Sequence, residues 1–80
     1  MKKSIYTKRH EVLIGCLVEA RKTAGFTQQA LADKLGKPQS FVAKYENGER
    51  RLDVVEFMEI AEILDVDTES IIQEVGRNQN

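Results

Sequence analysis

Eighty residues contain one cysteine (Cys16), one histidine (His10) and one proline (Pro38). A lone cysteine forms no disulfide within the chain, and one histidine with one cysteine cannot assemble a Cys/His metal cage. Long apolar runs are missing too. The basic opening Met1-Lys2-Lys3-Ser4 is followed by no uninterrupted apolar stretch of the kind an export signal needs, and no later stretch could span a bilayer. The expectation is a reducing, cytoplasmic setting with no membrane contact. Also absent are a glycine-rich phosphate loop, a nucleophile elbow, metal-ligand spacing and a histidine set among other titratable groups. These absences argue against an enzyme, and no cofactor is expected.

What is present is an ordinary globular composition, 41% hydrophobic and 31% charged. It suits one compact domain over residues 1–80 with an ordered core from about 7 to 75. The net charge of −1 conceals a polarity. Residues 1–25 sum to +4, residues 26–51 to +2 and residues 52–80 to −7. Local charge, not the isoelectric point, governs counterion release, so the basic first half could face a phosphate backbone while the acidic half faces away. The same distribution also fits a solvated surface.

The periodicity reads as five short helices and no strand. Leu13, Leu17, Ala20 and Ala24 recur at helical spacing and predict a helix from about Thr7 to Ala24, ended by Gly25. Thr27 is an N-cap type before a two-turn helix that carries Leu31 and Leu35 and closes at Gly36. Pro38 belongs at or just before a first helical turn, so a third helix should begin there and stop at Asn47-Gly48. Asp53 with Glu56 makes a capping box for a fourth helix, stapled by Leu52 and Phe57 and striped by Phe57, Ile60, Ala61 and Leu64. Asp67 can cap a fifth, stapled by Val66 and Ile71. The polar tail from Gly76 to Asn80 is expected to fray.

Helices two and three are separated only by Gly36-Lys37-Pro38, and a short glycine-containing turn between short helices is the helix-turn-helix signature. The run Arg21-Lys22-Thr23-Ala24-Gly25-Phe26-Thr27-Gln28-Gln29-Ala30-Leu31-Ala32 is followed by Leu35-Gly36, Gln39-Ser40, Val42 and Tyr45-Glu46-Asn47-Gly48. Over roughly residues 9–72 this order resembles the phage repressor and Cro family, also called the XRE-type helix-turn-helix family. The resemblance implies an all-α, compact five-helix, lambda-repressor-like domain that binds double-stranded DNA and regulates transcription, most often as a repressor. Two positions depart from the pattern. Ala30 stands where relatives often carry an acidic residue paired with Thr27, and Pro38 where they often carry a Ser or Thr cap.

A helix fits the major groove, and side chains on its outer face near the N-terminus reach base edges. On the third helix these are Gln39, Ser40, Ala43 and Lys44, the same positions the resemblance marks as readers. Gln39 can pair with adenine, Ala43 can meet a thymine methyl, and Lys44 can donate to guanine. Val42 and Tyr45 should face inward, whereas Phe41 could pack on the turn or meet DNA. The resemblance makes Gln28 a phosphate clamp at a helix N-terminus; Asn47, Arg50 and Arg51 follow the recognition helix and are placed as further backbone contacts, with pairing to Glu49 or solvent as the alternative for Arg50. It makes Arg21 and Glu46 a buried structural ion pair. Loss of either member should cost about 3–5 kcal/mol when burial is complete. His10 is expected in an exposed, basic first turn and Cys16 as a small hydrophobe at the core edge.

The implied partner is a pseudo-palindromic operator bound by a homodimer. Ile71, Ile72 and Val75 could form an apolar patch that pairs two subunits, or could close the core of one. The alternative from another class is an antitoxin-like or other protein-interaction module on the same fold, which would reveal itself by a co-purifying partner.

Overall fold

The computed structural model describes residues 7–78. Within them lie five helices: α1 (Lys8–Thr23), α2 (Gln28–Leu35), α3 (Gln39–Glu46), α4 (Val54–Leu64) and α5 (Thr68–Arg77). The chain's basic opening and its last two residues fall outside the described part. No helix among the described residues is long and apolar enough to cross a membrane.

Four of the five helix starts are written locally. Thr7 Oγ1 accepts the His10 N–H at 3.1 Å and Thr27 Oγ1 accepts the Ala30 N–H at 3.0 Å. Asp53 accepts the Glu56 N–H at 2.7 Å while the Glu56 carboxylate accepts the Asp53 N–H at 2.9 Å, a complete reciprocal box. Asp67 accepts the Glu69 N–H at 3.2 Å. α3 is the exception: its N-cap is Pro38, which offers no side-chain acceptor, so the helix begins one residue later, at Gln39. Between α2 and α3 the turn needs a residue at positive φ, and Gly36 supplies it at 71° without the cost a Cβ would incur.

Tyr45, Leu17, Leu31, Ile60 and Val42 are the largest fully buried side chains. They come from α1, α2, α3 and α4, so the helix-turn-helix pair packs on α1 and α4, while α5 closes onto α1. The apolar stripe expected on α4 is all buried, Phe57, Ile60, Ala61 and Leu64 alike. On α1 the phase differs from expectation: His10, Ile14 and Leu17 face the core, Leu13 and Ala20 pack at its margin, and Ala24 is exposed. A three-to-four spacing fixes a stripe only to within about one residue, or roughly 100° of rotation, and Arg21 sets the phase by pointing inward.

His10 is thus buried, not exposed. Burial, aided by the charge of Arg51, lowers its pKa below the ordinary 6.5. Cys16 is half-buried against the core, and burial, then Glu74, pushes its thiol up, which disfavours the reactive thiolate. The tail is ordered further than its polarity suggested, because α5 runs through Gly76 to Arg77. Arg9 accounts for this: its guanidinium donates to the carbonyls of Asn78 at 2.5 Å and Gly76 at 3.3 Å, satisfying helix-end acceptors that would otherwise face solvent.

Candidate nucleic-acid interface

Packing assigns the faces of α3. Phe41, Val42 and Tyr45 are buried and Glu46 is largely so, whereas Gln39, Ser40, Lys44 and Asn47 are exposed and Ala43 is half-exposed. At about 100° per residue the outward set spans an arc of roughly 140°. The face left to solvent therefore carries a carboxamide, a hydroxyl, a methyl and an ammonium group. These are the chemical types that read major-groove edges.

A chain of hydrogen bonds runs from the interior to this face. Arg21 meets Glu46 through two parallel bonds, Nε to Oε2 at 2.7 Å and Nη2 to Oε1 at 3.1 Å, and its Nη1 donates to the Phe26 carbonyl at 2.9 Å. The two side chains are only 11% and 5% exposed, so each charge depends on the other. The Glu46 hydrogen bond, ahead of the opposing cost of burial, raises the Arg21 pKa. Glu46 Oε1 also accepts from Gln28 Nε2 at 2.8 Å. A carboxylate can only accept, so the Gln28 amide has one orientation available, with its oxygen directed away. That oxygen receives Gln39 Nε2 at 2.8 Å. Gln39 is left with its own carbonyl oxygen and a second N–H, an acceptor and a donor side by side on an exposed carboxamide, which matches the edge of adenine.

The structure brings together Gln28 and Gln39, eleven residues apart in sequence, and ties both to Arg21 and Glu46. Gln28 sits at the first position of α2, where unshared backbone N–H groups suit an anion. Its side chain, however, is engaged by Glu46 and Gln39. Asn47 caps the C-terminal end of α3, and Arg51 is exposed on the loop that follows.

Arg50, expected among the backbone contacts, is engaged by neighbouring side chains instead of Glu49 or solvent. Its guanidinium grips the Glu56 carboxylate at 2.9 and 3.0 Å, donates to the Arg51 carbonyl at 2.8 Å, and lies 4.7 Å from the centroid of the Phe41 ring. Lys37 Nζ lies over the same ring at 5.3 Å. Phe41 itself is buried, edge-on to Tyr45 with centroids 5.7 Å apart, which settles its ambiguity in favour of packing. The Arg50 hydrogen bonds, then the Asp53 N–H, hold the Glu56 carboxyl down to about 2. Sequence reasoning placed Glu56 only in a capping box and gave Lys37 no role; a six-residue separation across a loop carries no periodic signal that would pair Arg50 with Glu56.

The proposed apolar patch also divides. Ile71 is in the core at 7% exposure, so it closes the monomer and is not free to pair subunits. Ile72 is 59% exposed, and Val75 is half-buried. Together with Leu13, Leu52, Val54, Phe57 and Met58, the latter two line an open apolar cleft of about 310 Å³ between α4 and α5.

Comparison with known proteins agrees with this geometry. A helix-turn-helix family model matches residues 17–71, more than half of the chain. Among solved structures, an XRE-family like protein from Pseudomonas syringae pv. tomato str. DC3000 is similar at 46% identity and a TM-score of 0.82, over 88% of this chain and 85% of that one. No curated protein matches. The match spans the exposed face of α3, the glycine turn and the core beneath them, and on it the chain belongs to the XRE-type helix-turn-helix family of DNA-binding regulators.

Proposed function

We propose that the protein is a sequence-specific regulator, acting as a repressor, that lays α3 in the major groove of double-stranded DNA. The observation that carries this reading is the oriented Gln39 carboxamide, held through Gln28 by the Arg21–Glu46 pair at the head of an exposed polar face. Preorganisation matters because a side chain already fixed in its bound rotamer loses less entropy on binding. Gln39, Ser40, Ala43 and Lys44 read bases, and Gln28, Asn47 and Arg51 hold the backbone and set register. Repression follows from occupancy, since a domain seated in the groove excludes other proteins from the same base pairs.

The functional unit in this reading is a symmetric dimer. Val54, Met58 and Ile72 are 71%, 47% and 59% exposed beside one cleft, a cost in water that a second copy would remove. Two recognition helices about 34–36 Å apart then meet half-sites one turn apart. Selection from random-sequence DNA, at two salt concentrations and with a Gln39→Ala/Lys44→Ala variant, tests both parts. A palindrome enriched by the native chain and lost by the variant supports the reading. Salt-sensitive binding with no enriched sequence overturns it and favours the protein-interaction alternative, for which the same apolar cleft would be the docking face.

A further inference from the structure

Phe41 lies in the first turn of α3, the one helix whose start has no side-chain cap. Its ring is covered by two cations from flanking segments, Lys37 from the turn before and Arg50 from the loop after. Of these, Arg50 is anchored. Both of its terminal nitrogens reach Glu56, and Glu56 in turn is locked to the N-terminus of α4 by the Asp53 N–H. A continuous set of contacts therefore leads from the start of α4, through a carboxylate, a guanidinium and a ring, to the start of α3.

We propose that Glu56 is a specificity-determining residue that never touches DNA. It holds Arg50 on Phe41, which fixes the tilt of the recognition helix and withdraws one arginine from the phosphate-binding set. This inference rests on the DNA-binding reading above. A basic residue on the loop after a recognition helix would otherwise add an unspecific phosphate contact, and such contacts raise affinity for every sequence alike. Glu56 exchanges that general affinity for a fixed reading angle.

Glu56→Gln is the informative change, because glutamine serves a capping box as well as glutamate and so leaves the start of α4 intact. The released Arg50 then reaches phosphate. Affinity for random-sequence DNA rises, the slope of log K against log salt steepens by about 0.9, one further phosphate neutralised, and the ratio of operator to random-sequence affinity falls about tenfold. Glu49→Gln removes the same charge from the exposed loop that leads to α4 and controls for simple loss of an acid. The double variant Glu56→Gln/Arg50→Gln returns the salt slope to its native value if Arg50 is the agent.

In the free protein, NMR should show the Arg50 side-chain protons shifted by the Phe41 ring, with that shift lost in Glu56→Gln. Weaker binding to operator and random DNA alike with an unchanged slope would mean a merely structural role and overturns the proposal. So does a retained ring shift, or a Glu49→Gln variant that matches Glu56→Gln in slope and selectivity. Failure of the underlying DNA-binding reading is seen separately, in a native chain that selects no sequence, and removes this inference with it.

Discussion

α3 and α4 meet across one loop and begin in opposite ways. α4 opens on a reciprocal capping box, so its first turn is secured by residues three apart in sequence. α3 opens on a proline with no side-chain acceptor; its backbone carbonyl takes the Phe41 N–H at 2.9 Å, and a buried ring under two cations from outside the helix backs the first turn. A helix closed by its own side chains has spent the acceptors that satisfy its terminal N–H groups. With no side-chain cap, the first two N–H groups of α3 meet no side-chain acceptor of their own helix, which suits an end that approaches a polyanion. The contrast thus separates a helix built for packing from one built for presentation.

The severest way to break the contrast is at the far end of α3. Glu46→Ala strands the Arg21 guanidinium at 11% exposure, and a loss of about 3 kcal/mol or more is expected in urea unfolding. Phe41→Ala should cost about 3 kcal/mol, with amide exchange accelerated mainly in the first turn of α3. Asp53→Ala, at the start of α4, removes one cap and should cost about 1 kcal/mol. If Asp53→Ala proved more costly than Phe41→Ala, the start of α3 would not depend on its buried ring more than α4 depends on its cap. Pro38→Ser supplies the missing cap and is expected to add about 0.5 kcal/mol, a gain visible as a higher urea midpoint.

Acid sharpens the comparison with smaller effects. The His10 pKa is lowered by folding, so the unfolded chain binds the proton more tightly; its contribution is intact above pH 6.5 and falls away as the pH drops below that value. A His10→Phe variant should flatten the stability profile in that window. Glu56 behaves alike at lower pH: its carboxyl is held at about 2 against an ordinary 4.5, so the Arg50 clamp weakens as pH falls from 4.5 toward 2.

Local signals were legible and distant ones were not. The capping box at Asp53, the caps at Thr27 and Asp67 and the glycine at position 36 each act within a few residues, and all five helices could be placed from such signals. The inward pair Val42 and Tyr45 followed from a period of 3.6 once α3 was placed. Ile14 and His10 were missed because a stripe read on α1 alone leaves its rotation open until a partner surface fixes it. Ile71 and Ile72 are adjacent and chemically identical, yet one is buried and the other exposed. Only the docking of α5 on α1 separates them. For Arg50, charge and position offered two readings, the phosphate backbone or a pairing with Glu49 or solvent. The acid it meets is Glu56, which lies across a turn whose path no pattern encodes.

Arg9, at the first turn of α1, reaches the carbonyls of residues 76 and 78. The described polypeptide is therefore nearly a closed loop, with its beginning and end separated by little more than one side chain. A short flexible linker from residue 78 to residue 7 would turn it into a ring with little strain. Because a ring has fewer unfolded conformations to lose, backbone cyclisation should slow fraying at this seam.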